Sequence, residues 1–78
     1  MVETFLDTTG LMCPLPVLRA RKVLKALPPL STLKVVATDA ASVMDFGVFC
    51  EQAGHELIEQ SEDRGVFTFI IRRGQNQP

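Results

Sequence analysis

Residues 10 to 17 read GLMCPLPV, so Cys13 is followed by two prolines one residue apart, Pro14 and Pro16, at the mouth of the run PLPVLRARKVLKAL. Proline is favoured in the first turn of a helix, where its missing N–H is not needed and its φ is already set. The spacing predicts Pro14 at the first helical position, Cys13 as the N-cap and Pro16 within the same turn. Leu15 then supplies the one local N–H that can reach the Cys13 sulfur. A thiol at the positive end of a helix has its thiolate favoured and titrates below the free value of about 8.5. The same helix adds Arg19, Arg21, Lys22 and Lys25 and no acid, which predicts a further pull in that direction. Cysteine is not a preferred cap beside Ser, Thr, Asp or Asn. Its presence here reads as a reactive sulfur.

What chemistry such a sulfur performs depends on its neighbours. The flanking sequence offers neither a histidine nor an acid as a protease-like base. His55, the one histidine of the chain, reads as a polar residue at the start of a strand. Attack of a thiolate on a sulfane sulfur needs no separate base, because the thiolate is itself the nucleophile. Cys50 falls on an apolar helix face with Val43, Phe46 and Ala53, so it reads as a core thiol and not as a resolving partner for Cys13.

The elements that must hold Cys13 follow from periodicity. Glu3 to Asp7 reads as a short strand, and Thr8, Thr9 and Gly10 as a loop. Pro16, Val17, Ala20, Val23, Leu24 and Leu27 share one helical face, and Pro28-Pro29 end that helix. Leu33 to Asp39 is expected as an inner strand. A second helix is expected to start with Ser42 as its N-cap and to stop at Gly54. His55 to Glu62 alternates as a half-buried strand, Asp63-Arg64-Gly65 is a turn, and Val66 to Arg73 is the most strongly patterned strand. The order β-α-β-α-β-β predicts an α/β (α+β) two-layer sandwich. Its mixed four-stranded sheet carries both helices on one face, since strand–helix–strand crossovers are right-handed. Residues 1–74 are expected to form a single domain, with 75–78 a disordered tail.

Composition narrows the function classes. The chain has 78 residues, 46% hydrophobic and 22% charged, and a net charge of −1. That is too apolar for disorder and too neutral for a field that gathers nucleic acid or acidic membrane. Two cysteines are too few for a disulfide framework or a four-thiolate zinc site. No metal or organic cofactor is implied. No leader-like N-terminus or spanning apolar run is seen, so a cytoplasmic protein with reduced thiols and no membrane association is expected.

The run LDTTGLMCPLPVLRARKVLKAL resembles the signature of the TusA family of small sulfur carriers, also called SirA-like proteins. Cys13-Pro14-Leu15-Pro16 matches that family's Cys-Pro-x-Pro motif, and Leu6-Asp7 and Gly10-Leu11 look like its lead-in. ATDAASVMDFGVFCEQAGHELIEQ and VFTFIIRR resemble its later signature regions, so the likeness covers nearly the whole chain. It departs at Ala40 and Gly47, where members often carry proline. The resemblance implies a two-layer sandwich similar to the C-terminal domain of translation initiation factor three. It implies that Cys13 accepts sulfur as a persulfide from a cysteine desulfurase or rhodanese-like donor. The sulfur then passes to an acceptor protein, for tRNA thiolation, molybdenum cofactor synthesis or sulfur oxidation, with some members near selenium metabolism. Such a protein is a relay more than a stand-alone enzyme. By the same resemblance, Arg21 and Asp39 match positions used for partner contacts.

A relay must dock partners. Leu15 and Leu18 lie off the core stripe within a turn of Cys13, among Arg19, Arg21 and Lys22, and this face is expected to receive them. Met44 and Val48, opposite the core stripe of the second helix, read as isolated exposed residues. A rival reading is a binding or regulatory module for protein or RNA. Direct nucleic-acid binding is disfavoured by the negative net charge and by phenylalanines placed mostly toward the core. A thiol redox sensor would need a resolving thiol.

Overall fold

The computed structural model describes residues 3–75. The elements follow the expected order: β1 (Thr4–Thr8), α1 (Leu15–Ala26), β2 (Thr32–Ala37), α2 (Ser42–Ala53), β3 (Glu56–Asp63) and β4 (Val66–Arg72). One four-stranded sheet runs in the order β1-β2-β4-β3. β1 and β2 are parallel, β2 and β4 antiparallel, and β4 and β3 antiparallel. β3 therefore runs parallel to β2, with β4 inserted between them. This is the mixed four-stranded α+β sandwich expected from the pattern. Most of the 75–78 segment expected as a tail lies outside the described residues.

Alternation in the two central strands builds the core. Leu33, Val35 and Ala37 of β2 and Phe69 and Ile71 of β4 are buried on one face. They meet Ala20 and Leu24 of α1 and Phe46 and Cys50 of α2 in one cluster, which sets both helices on that face. The rings of Phe46 and Phe69 stack with centroids 4.6 Å apart, joining α2 to β4. The edge strand β3 corrects an expectation. Only Leu57 is partly buried along it, because a register shift between Leu57 and Glu59 breaks the alternation and leaves Ile58 exposed. Phe5 also departs from the inward pattern and stands exposed on β1.

The second helix starts differently from its sequence reading. Ser42 is its first residue, not its cap, and Ala41 occupies the cap position without a side-chain bond. The capping work falls to Asp39, whose Oδ1 accepts the Ala41 N–H at 3.0 Å and whose carbonyl accepts the Ser42 N–H at 2.9 Å. The Ser42 hydroxyl is left buried with no partner. An unsatisfied buried hydroxyl costs about 1–3 kcal/mol. Ser42→Ala is thus expected to stabilise the fold by about 1 kcal/mol, a rise in Tm of roughly 4–8 °C for a domain of this size, read by thermal unfolding. The far end of α2 is as expected, with Gly54 in the left-handed cap conformation at φ 78°. β3 and β4 are joined by a two-residue turn, Arg64-Gly65, both at positive φ, which matches the twist of the flanking strands.

Candidate functional site

Parallel pairing of β1 and β2 brings their carboxyl ends, and the loops that leave them, to the same sheet edge. Cross-links between the loops fix them there. The Thr8 hydroxyl donates to the Val36 carbonyl at 2.6 Å, and the Gly10 N–H donates to the Thr38 hydroxyl at 2.8 Å. Gly10 sits at φ 82°, where a side chain would be strained, and this lets the chain fold back between the two bonds. Asp7 accepts the N–H and hydroxyl of Thr9, and these bonds hold its carboxyl below the usual range.

Cys13 stands exposed in this loop. Its N–H donates to Asp39 Oδ2 at 2.7 Å. The Cys13 and Ala41 N–H groups together lower the Asp39 pKa, so this residue is a fixed carboxylate. The Cys13 thiol itself donates at 2.6 Å to Asp45 Oδ2, in the first turn of α2. That hydrogen bond raises the thiol pKa, with added contributions from desolvation and the charges of Asp45 and Asp39.

Three expectations about this turn are corrected. Helix α1 begins at Leu15, with Pro14 as its cap and Pro16 inside the first turn. Cys13 therefore precedes the cap. The Leu15 N–H does not reach the sulfur; it closes a turn on the Met12 carbonyl at 2.9 Å, across a cis Cys13–Pro14 bond. The Pro14 carbonyl takes the first intrahelical bond, from Leu18 at 3.1 Å. Finally, the thiol pKa is shifted upward and not downward. The helix dipole and cations that sequence spacing brought forward are outweighed by two carboxylates lying 26 and 32 residues away along the chain.

The other predicted residues divide into groups. Leu15, Leu18, Arg19 and Lys22 line one shallow depression on the outer side of α1. Leu15 and Leu18 are exposed, as are Met12 just before Cys13 and Met44 just before Asp45. Arg21 lies elsewhere, lining a cavity with Lys25. Asp39, expected as a partner contact, is engaged with the Cys13 backbone. Asp45 carries no motif that marks it in the sequence. The signal for it was the parallel β-α-β arrangement, which places the first turns after β1 and β2 side by side.

Cys50 is 3% exposed, and burial pushes its thiol up to about 11. Native protein is therefore expected to titrate one thiol with a disulfide reagent and the second only after denaturation; two thiols titrating before denaturation would contradict the core assignment. Among the described residues no group of three or more His, Cys, Asp and Glu has metal-binding proximity. Among them also, no helix is long and apolar enough to cross a membrane.

A family profile described as Sulfurtransferase TusA matches residues 4–73. The sulfur carrier protein TusA of Allochromatium vinosum is 50% identical over 68 residues, covering 87% of this chain and 90% of that protein. The sulfur carrier protein TusA of Pseudomonas paraeruginosa is 43% identical over 72 residues, covering 92% and 91%. A crystal structure of a SirA-like protein from Desulfitobacterium hafniense superposes with a TM-score of 0.80 at 28% identity, over 95% of this chain and 100% of that one.

Proposed function

Because the chain belongs to the TusA sulfurtransferase family, we propose that it carries sulfane sulfur as a persulfide on Cys13. It receives the sulfur from a donor protein persulfide and hands it to an acceptor protein. The observation that carries this reading is the exposed Cys13 thiol held on Asp45 at 2.6 Å in the loop shared by β1 and α1.

In the loading step the Cys13 sulfur attacks the terminal sulfur of the donor persulfide. A new S–S bond forms on Cys13, and the donor's S–S bond breaks. The donor leaves as a thiolate, and the Cys13 proton passes to Asp45 and then to that thiolate. One persulfide and one thiol give one thiol and one persulfide, with no net redox change. Asp39 keeps the Cys13 backbone in place, and Pro14 and Pro16 hold the turn that presents it. The depression formed by Leu15, Leu18, Arg19 and Lys22 receives the partner, its cations steering an acidic patch toward the sulfur. A cysteine desulfurase or a rhodanese-like protein fits as donor. Thiolated tRNA, molybdenum cofactor and sulfur oxidation fit as destinations. Free thiols of this kind persist in the cytoplasm, where the relay would operate.

The test is the intact mass after incubation with a desulfurase and cysteine, or with a rhodanese and thiosulfate. A gain of about 32 Da per sulfur, reversed by a thiol reductant, is the expected result for a persulfide. No gain with either donor overturns the carrier reading in favour of a binding module.

A further inference from the structure

A second concave site lies away from Cys13. A cavity of about 410 Å³ is lined by Arg21, Lys25, Phe49, Gln52, His55 and Arg73, together with Ala53. From the first turn of α1 to Lys25 is ten residues, about 15 Å along the axis. Neither Cys13 nor the carboxylates that hold it, Asp39 and Asp45, line this cavity.

Its chemistry is one-sided. Three of the lining side chains are cations and none is a carboxylate. Among the described residues the one salt bridge is between Arg72 and Glu56, so Arg21, Lys25 and Arg73 have no carboxylate partner. Two of the helix-end carbonyls on this side are engaged by donors. The Leu24 carbonyl accepts Arg73 Nε at 2.7 Å and the Leu27 N–H at 3.2 Å, and the Cys50 carbonyl accepts the His55 N–H at 2.9 Å. The first of these bonds also fixes the Arg73 guanidinium, whose Nη1 is tied to the Gly74 carbonyl at 3.2 Å, while among the described residues Nη2 has no hydrogen-bond partner.

His55 is set as a donor. Its Nδ1 accepts the Gly74 N–H at 3.0 Å, which places the ring proton on Nε2. Phe49 packs beside it, ring centroids 5.4 Å apart. The cavity therefore offers two guanidinium groups, an ammonium, an imidazole N–H and an amide, over an aromatic floor. Guanidinium forks match phosphate oxygens two at a time. A single phosphate would leave much of this volume and charge unmatched; typical small-molecule sites start at about 300 Å³.

We propose that this cavity binds a small molecule bearing two adjacent phosphates. Arg21, Lys25 and Arg73 share its charge, and His55 and Gln52 donate to its oxygens. An organic diphosphate lays its ring on Phe49.

The test uses the full chain and two probes, ADP and inorganic pyrophosphate, followed by calorimetry and by proton NMR of the imidazole. His55 is the one histidine of the chain, so its C2–H resonance reports on this site alone. Saturable binding that moves this resonance is expected. Tighter binding of ADP assigns an organic diphosphate, and equal binding assigns an inorganic one; either supports the site. Arg21→Ala with Lys25→Ala is expected to weaken binding about tenfold or more, as loss of charge-assisted bonds does. Arg19→Ala with Lys22→Ala removes equal charge from the neighbouring face and is expected to change it less than about twofold. Absence of saturable binding by either probe overturns the proposal. So does equal weakening by the two double variants, which would mean diffuse attraction to a basic helix.

Discussion

Cys13→Ser is expected to abolish sulfur loading completely while leaving the fold unchanged. A serine hydroxyl keeps the size of the side chain and can still donate to Asp45. The bond from residue 13 N–H to Asp39 is made by the backbone and survives. Stability should therefore stay within about 0.5 kcal/mol, the range of exposed substitutions that break no cap or core contact. What is lost is the nucleophile, because a persulfide forms through a thiolate and an alcohol gives none at neutral pH. Cys50 cannot replace it. It is buried, and its thiol is pushed up to about 11. Intact mass would show the gain of about 32 Da in the parent protein and none in the variant. Loading of the Cys13→Ser variant would place the sulfur elsewhere and remove Cys13 from the mechanism.

The fold was largely readable because its signals are local. The period changes from two to 3.6 at Pro14, the double proline ends α1, and Gly54 ends α2. Each is a property of a few neighbouring residues. The order of the strands is less local. That β4 inserts between β2 and β3 depends on which hydrophobic faces pair, and four apolar or half-apolar strands leave that choice to tertiary packing. The weak alternation of β3 misleads for the same reason. An edge strand buries little, and its pattern is broken at Ile58.

The site shows the same division more sharply. Cys13, Pro14 and Pro16 announce themselves as a sequence motif. The groups that set the electrostatics of the sulfur do not, because Asp39 and Asp45 are remote in the chain and reach Cys13 only when β1 pairs with β2. Along the helix, the sequence offers cations within a few residues and a dipole. In the structure those cations point to two other surfaces: Arg19 and Lys22 to one depression, Arg21 and Lys25 to another cavity. Proximity in sequence on a helix spreads charges around the cylinder. A thiol at its end faces whatever the adjoining loop supplies, which here is acid.

Asp45→Asn should separate the two consequences of that acid. In the parent protein the Asp45 hydrogen bond, first among the causes, holds the Cys13 pKa above its ordinary value. Less thiolate is present at pH 7 than in a free cysteine, and alkylation by a small reagent is correspondingly slow. Asparagine removes the charge and the strong acceptor, while Asp39 remains. The midpoint of the alkylation profile should therefore move down in pH, and the rate at pH 7 should rise as the thiolate fraction grows. Loading from a docked donor should move the other way. A docked partner shields the sulfur from water, the thiol enters still mostly protonated, and an amide cannot take its proton. Loss of a positioned base then slows the step on the order of tenfold or more. Faster alkylation with slower loading identifies Asp45 as the proton acceptor. If both rates rise together, Asp45 acts on the thiol only through its charge, and the proton must leave by the donor's own groups.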